Sequence, residues 1–368
     1  MSTPVRIAVI GAGRIGSLHT ELLRARVRGA EVVAVADVVS KAAESLAERF
    51  EIPVVCSTVD EAIDRGKPDA LLVCSSTDTH EEAIEKAAGR GLHVFCEKPL
   101  SDTIESIERI RAAVERSGIL LQVGFNRRFD ASFARVRRAI AGGEVGELHT
   151  VRITSRDPEP PPIEYVKRSG GLFMDMTIHD FDMVRFLCGA EPTEVYAIGE
   201  CRVDPAIGEA GDIDTALVTL RFADGTFATI ENSRQAVYGY DQRAEAFGSA
   251  GAVSTDNVYP NTATLSHAGG VGRDLPLRFF LERYTESYVN ELERFVGAVR
   301  RAIGAGGEPP RTGPIAEAGG SVDEEGSTTV DAIDGREAVF LAQAAERSRK
   351  SGAPVVLADY RDELGLSG

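Results

Sequence analysis

The stretch Arg6-Ile-Ala-Val-Ile-Gly-Ala-Gly-Arg-Ile-Gly16 decides the reading of this 368-residue chain. Arg6–Ile10 is nearly all apolar, as a strand buried on both faces of a parallel sheet must be. It runs directly into Gly11-x-Gly13-x-x-Gly16, and a helical pattern from Gly13 to Arg26 follows. Glycines at this spacing permit a tight turn, close approach of main chain to a diphosphate, and contact between helix and strand. The helix N-terminus then offers N–H donors and a positive partial charge. Asp37 follows the second strand, Glu31–Ala36, 21 residues after Gly16. A carboxylate there accepts both hydroxyls of an adenosine ribose and repels a 2′-phosphate, so the pattern points to NAD rather than NADP. Lys41 nearby leaves room for both, and the competing reading is a glycine turn beside a surface aspartate.

Outward from this motif, β-rich and helical runs alternate to about residue 125. Strands are expected at Val54–Val55, Ala70–Cys74, His93–Cys96 and Leu120–Val123. Helices are expected at Lys41–Phe50, Val59–Ile63, Glu81–Arg90 and Ile104–Ser117. This alternation predicts an α/β domain with a doubly wound, parallel Rossmann sheet over residues 1–126. After Arg127 the texture changes. A helix at Ser132–Ala141 leads to an extended Leu148–Ser155 and a Pro-rich loop from Asp157 to Ile163, which cannot be helix. Phe173–Leu187 reads as one helix. Strand-like runs with turn signals such as Asp224-Gly225 fill most of 193–264. Glu282–Ile303 and Ala332–Ser348 read as helices, and Pro354–Leu357 as a last strand. The expectation for 127–368 is an α+β domain with an open, mostly antiparallel sheet that binds substrate and joins subunits. Within it, 304–329 holds seven Gly, three Pro and five acids and reads as a flexible insertion.

Composition sets limits. The chain carries 41 Lys and Arg against 57 Asp and Glu, a net charge of −16. That field repels nucleic acid and anionic membranes and mildly disfavours phosphorylated substrates, although Arg127-Arg128 offers a local site for one phosphate. No apolar run approaches the ~20 residues needed to span a bilayer. Five cysteines, at 56, 74, 96, 188 and 201, form no C-x-x-C. A disulfide framework or structural zinc site is not expected, and the reading is a reduced, cytoplasmic protein.

Two further stretches carry chemistry. Glu97-Lys98-Pro99 closes the fifth strand, and ligands of doubly wound sheets bind outside the carboxyl ends of strands. Lys98 is thereby aimed at the cofactor's nicotinamide half, and the following proline restricts it to an extended conformation. The cofactor set assigned here is Gly11, Gly13, Arg14, Ile15, Gly16, Asp37, Ser75, Thr77, His80, Glu97 and Lys98. In Ser169-Gly-Gly-Leu-Phe-Met-Asp175-Met-Thr-Ile-His179-Asp-Phe-Asp182, positions 175, 179 and 182 share one helical face. An Asp one turn from a His orients the imidazole and stabilises its protonated form, which suits a general base for an alcohol proton. A helix-surface ion pair is the plainer alternative. A three-ligand metal site is a weaker one, since no second cluster supports it, so no metal is assigned.

Together with Gly124-Phe-Asn-Arg-Arg-Phe-Asp130, Ser155-Arg-Asp-Pro158 and Tyr238-Gly-Tyr-Asp-Gln-Arg243, these motifs make the chain resemble the glucose–fructose oxidoreductase / inositol dehydrogenase / rhizopine catabolism family, over nearly its whole length. The likeness is greatest to the inositol-oxidising members. The resemblance implies NAD-dependent oxidation of myo-inositol to 2-keto-myo-inositol, with Lys98, Asp175 and His179 catalytic. It also implies a polyol pocket lined by Asn126, Arg127, Asp157, Tyr238 and Tyr288, and a homotetramer. Some inositol dehydrogenases carry a substrate-binding histidine where Ser155 stands, which leaves the stereoisomer open. The alternatives are another inositol or sugar dehydrogenase and a non-catalytic dinucleotide sensor. Sensors tend to lose the lysine or histidine that this chain keeps.

Overall fold

A computed structural model describes residues 3–304 and 330–366. The chain opens with β1 (Val5–Ile10), α1 (Arg14–Ala25), β2 (Ala30–Ala36), α2 (Ser40–Phe50), β3 (Val54–Cys56), α3 (Val59–Gly66), β4 (Ala70–Val73), α4 (His80–Gly89), β5 (His93–Glu97), α5 (Ile104–Ser117) and β6 (Leu121–Gly124). The six strands form one parallel sheet in the order β3-β2-β1-β4-β5-β6. Their cores are fully buried, Ile7, Ala8 and Val9 at 0% exposure among them, which is why the runs are apolar without alternation. The register pairs Ile10 with both Ala36 and Val73, and Val73 with Cys96. The carboxyl ends of β1, β2, β4 and β5 therefore lie side by side, and the order of strands reverses between β1 and β4. That is the switch point where this architecture binds its ligands.

The rest of the chain runs through α6 (Ala131–Ala141), β7 (Leu148–Arg156), α7 (Ile163–Val166), a π-helical turn Phe173–Thr177, α8 (Ile178–Cys188), β8 (Pro192–Glu200), α9 (Pro205–Glu209), β9 (Thr215–Phe222), β10 (Phe227–Ser233), β11 (Asp241–Gly248) and β12 (Gly251–Ser254). An exposed hairpin of β13 (Thr264–His267) and β14 (Gly270–Arg273) follows. Then come α10 (Phe280–Arg283), α11 (Thr285–Gly304), α12 (Ala332–Ser351), β15 (Val355–Val356) and α13 (Leu357–Glu363). Seven strands make the second sheet, in the order β12-β11-β7-β10-β9-β8-β15. Only the β7–β10 pair is parallel; the other pairs are antiparallel. Its strands alternate buried and exposed residues, as in β9, where Ala216, Val218, Leu220 and Phe222 point inward. One face thus makes a core and the other stays open.

The chain divides into two compact units that are not contiguous in sequence. Among the described residues, the first unit is 3–129 with 286–304 and 330–339, and the second is 130–285 with 340–366. The sequence reading expects a single cut after residue 126. The difference has a packing cause. Phe295 of α11 sets its ring edge against Phe95 of β5 at 5.7 Å, and Val123 of β6 donates its N–H to the Val330 carbonyl at 3.0 Å. Gly335 of α12 lies so close to Leu100 that a Cβ there would come within 3.3 Å of it. Late segments thus complete the core of the first unit.

Two expected helices change form. Glu282–Ile303 is interrupted at Tyr284, which separates α10 from α11. Phe173–Leu187 begins as a π turn, so it is not a single α-helix. Apart from Gly304, the Gly- and acid-rich insertion 304–329 lies outside the described residues. Among the described residues, no helix is long and apolar enough to cross a membrane.

Candidate active site

The glycine loop is built around close approach. Gly11 has φ +98°, and a Cβ on it would meet the Cys74 and Ser75 main chain at 2.6 Å. A Cβ on Gly16 would lie 2.0 Å from the Gly11 carbonyl oxygen. The space beside Gly13 is open, with nothing within 4 Å of an added Cβ. Gly13 is the N-cap of α1, no side chain caps the helix there, and its first turn holds no acid. An N-terminus of this kind, without a side-chain cap or an acid in its first turn, suits an anion. Asp37 is held in place by two main-chain donors, Ala12 N–H on Oδ2 at 2.7 Å and Val39 N–H on Oδ1 at 2.8 Å. This cradle and carboxylate fit the diphosphate and ribose of a dinucleotide.

Further along the same sheet edge, Ser75 Oγ and Thr79 Oγ1 lie 2.6 Å apart in the 3-10 turn Thr77–Thr79. His80 is 1% exposed, and its ring nitrogens face the Pro99 carbonyl at 3.0 Å and the Ser75 carbonyl at 3.2 Å. It therefore straps the loop after β4 to the loop carrying Lys98, and burial pulls its pKa below the usual histidine value. Glu97 is paired with the buried His19 at 2.6 Å. A Cβ on Gly124 would press on the Glu97 carboxylate at 3.0 Å, so glycine there leaves the pair its room. Tyr288, expected in the substrate pocket, is 7% exposed and sets its ring edge on His19 at 5.5 Å. Asn126 and Arg127, 2% and 4% exposed, lie in the 3-10 turn Asn126–Phe129. Asn126 Nδ2 is buried without a protein partner among the described residues, a condition that favours a bound hydroxyl or water. Arg128 is committed to a buried pair with Asp334 at 2.9 Å, which removes it from the phosphate site allowed by the sequence.

In the second unit, Asp175 sits in the π turn, which is anchored by its N–H on the Gly171 carbonyl at 2.9 Å. Such turns recur at functional sites because they displace side chains from the regular helix register. Both carboxylate oxygens of Asp175 are engaged: Tyr165 OH donates to Oδ1 at 2.8 Å and Arg234 Nη2 to Oδ2 at 2.8 Å. Arg234 Nη1 also donates to Asp157 Oδ2 at 3.3 Å. Burial, and then Asp175, push the Tyr165 hydroxyl pKa well up, so Tyr165 remains a donor. His179 follows one turn later at the start of α8, half-buried. Asp182, expected on the same face, is instead fully buried 3.9 Å from Arg185. The π turn at Phe173–Thr177 sets Asp175 off the α-helical register that His179 and Asp182 share in α8, so the three residues do not follow one unbroken 3.6-residue period. Below the site, Thr177 donates to Asn232 Oδ1 and Asn232 to Asp180 Oδ2, both at 2.7 Å. Ser155 and Tyr284 donate to Gln242 Oε1 at 2.9 and 3.3 Å.

The structure thus brings Asp157 and Asp175 together, through an arginine the sequence reading overlooked. Arg234 lies 59 residues from Asp175 and 77 from Asp157, beyond any local pattern. Tyr238 is placed elsewhere. Its hydroxyl donates to Asp241 Oδ2 and accepts from Arg156 Nη1, both at 2.6 Å. Those two residues pair across β7 and β11 and alternate to the face opposite Ser155 and Gln242.

Comparison with known proteins agrees with this layout. Residues 5–125 match the model of an oxidoreductase family with an NAD-binding Rossmann fold, and residues 133–254 match the GFO/IDH/MocA C-terminal domain. The chain is 42% identical over 353 residues to a myo-inositol 2-dehydrogenase of Thermotoga maritima, covering 96% of this chain and 98% of the relative. It is 46% identical to an inositol 2-dehydrogenase of Rhizobium meliloti, over 81% of this chain and 89% of the relative. Among solved structures, scyllo-inositol dehydrogenase from Lactobacillus casei, crystallised with NAD(H) and scyllo-inositol, superposes with a TM-score of 0.85. It is 26% identical, covering 97% of this chain and all of that one.

Proposed function

This chain belongs to the GFO/IDH/MocA family of NAD-binding oxidoreductases, and from that premise we propose that it oxidises myo-inositol to 2-keto-myo-inositol. The observation that carries the reading is the doubly held Asp175 one turn before His179, in a chain that also keeps Lys98. The names of the relatives at 42% and 46% identity support the inositol substrate class. NAD, when bound, accepts hydride from the carbinol carbon. His179 takes the hydroxyl proton, and Asp175 orients the imidazole and stabilises its charged form. The Lys98 ammonium stabilises charge developing on the alkoxide oxygen. Asn126, whose amide nitrogen has no protein partner among the described residues, Arg127 and Asp157 are the groups we assign to the ring hydroxyls.

A second reading, oxidation of scyllo-inositol, is favoured by the fold's likeness to an enzyme crystallised with that isomer. The deciding assay follows NADH formation from myo-, scyllo- and chiro-inositol and from aldoses. A dominant kcat/KM for myo-inositol bears the proposal out, and a dominant value for any other substrate replaces it. Five free cysteines, three of them buried, support a reduced, cytoplasmic setting. The apolar residues on the open face of the second sheet support a homotetramer.

A further inference from the structure

Arg234 follows β10 directly and is 4% exposed. Its main-chain N–H donates to the Asp214 carbonyl at 2.8 Å, which pins the root of the side chain. Its two terminal nitrogens go to two different acids, Nη2 to Asp175 at 2.8 Å and Nη1 to Asp157 at 3.3 Å. Two carboxylates sharing a buried neighbourhood repel, and without a cation between them one takes up a proton. A planar guanidinium spans two acceptors at fixed spacing, which a lysine does only as a point charge.

We infer that Arg234 is a positioning residue for the oxidation proposed above. It holds Asp175 charged and oriented for His179, and ties that acid to Asp157, the acid assigned to substrate. The inference rests on the reading of Asp175 and His179 as the proton-handling pair. The charged and titratable groups around Asp175 are Tyr165 on Oδ1, Arg234 on Oδ2, Asp157 across the guanidinium and His179 on its own helical segment. Arg234 also acts electrostatically on Asp212. Burial works against the charge on Arg234, but Asp175 and Asp157 more than offset this and raise its pKa. Arg234 is therefore the fixed cation of the group. If it leaves, Asp175 must lose its proton before it can stabilise an imidazolium, and the acid limb of the rate profile moves up in pH. A purely structural ion pair would not move that limb.

The test compares the full-length wild type, Arg234→Lys, Arg234→Gln and His179→Ala. It uses the inositol that the wild type oxidises best, with kcat and KM measured across pH, NAD Kd, and circular dichroism. Arg234→Gln is expected to lose about 10²-fold in kcat, the cost of a misplaced catalytic group. Its acid limb should rise, while NAD Kd stays within about twofold of the wild type, a bound set by the placement of the dinucleotide cradle elsewhere. Arg234→Lys should keep the wild-type acid limb and recover about 10-fold of the loss, since it restores charge without the fork. Wild-type kcat in Arg234→Gln, or an unmoved acid limb in that variant, overturns the inference. So does an Arg234→Lys enzyme no better than Arg234→Gln. If Arg234→Gln does not fold, Arg234→Lys decides alone: a lowered kcat with unchanged NAD Kd supports positioning, and a wild-type kcat refutes it. A wild type silent on every inositol would defeat the functional reading, and the inference with it. An active wild type with indifferent Arg234 variants would defeat the inference alone.

Discussion

At the scale of single residues, Asp37 and His179 separate cofactor choice from chemistry. Asp37 is locked by the Ala12 and Val39 N–H groups, so its charge cannot swing away from a ribose 2′-position. Asp37→Ser removes the repulsion and should raise kcat/KM with NADP relative to NAD, by about 10-fold or more for a charge in this position. Steady-state kinetics with both cofactors checks it, and an unchanged ratio would unseat the assignment of Asp37. His179 belongs to the second unit and the glycine cradle to the first. His179→Ala should cut kcat by about 10²–10⁴, the range for a positioned general base. NAD affinity by titration should stay close to that of the wild type. A folded His179→Ala enzyme with normal kcat at neutral pH would return the Asp175–His179 pair to the role of a helix ion pair.

At the scale of elements, the first sheet is legible in the sequence because strands buried on both faces must be apolar throughout, and β1, β4 and β5 are. The glycine motif is legible for the same local reason: its constraints act between residues close in sequence. What escapes is set by long-range contact. Nothing near Phe173 announces a π turn, and the groups that hold Asp175 within it, Tyr165 and Arg234, lie 10 and 59 residues away. The end of β7 shows the same dependence. Arg156 bonds Tyr238 and Asp241, and Asp241 also accepts from Arg243 and Asn257. Burial raises the Asp241 carboxyl pKa, but Arg243, Tyr238 and Asn257 outweigh that and hold it below the ordinary carboxylate value. A carboxyl depressed in the folded state adds stability above its unfolded pKa of about 4, and that stability drains away as pH falls through the folded value. Asp241→Asn should therefore cost about 3 kcal/mol at neutral pH, the scale for breaking a buried charge network. The penalty should shrink below about pH 4, where the wild-type carboxylate is itself being protonated. Urea unfolding of both proteins across pH reads this out, and a pH-independent gap would show that Asp241 acts through packing alone.

At the scale of the whole molecule, the question is what covers the outer face of the second sheet. Register places Ile198 opposite Leu217, and both Phe227 and Phe247 beside Thr150. All four large side chains thus lie on one face, exposed by 49%, 49%, 44% and 48%. A sheet face left to solvent usually carries polar side chains at such positions. Here the apolar residues lie among Thr219, Arg221, Thr229 and Glu231, an apolar centre with a polar surround of the kind found at subunit contacts. If identical subunits meet through this face, Leu217→Asp combined with Phe227→Asp strikes every contact at once. A side chain of this size is worth about 1.5–3 kcal/mol when taken from full exposure to full burial, and Leu217 and Phe227 are 49% and 44% exposed, so the pair represents about 1.5–3 kcal/mol per subunit. That corresponds to a roughly 10–10²-fold weaker association. Light scattering should show the wild type as a tetramer and the double variant as smaller species. The inner face and the glycine cradle are untouched by these changes, so NAD titration should give the same affinity for both. A monomeric wild type, or a double variant of undiminished mass, would mean that this face does not join the subunits.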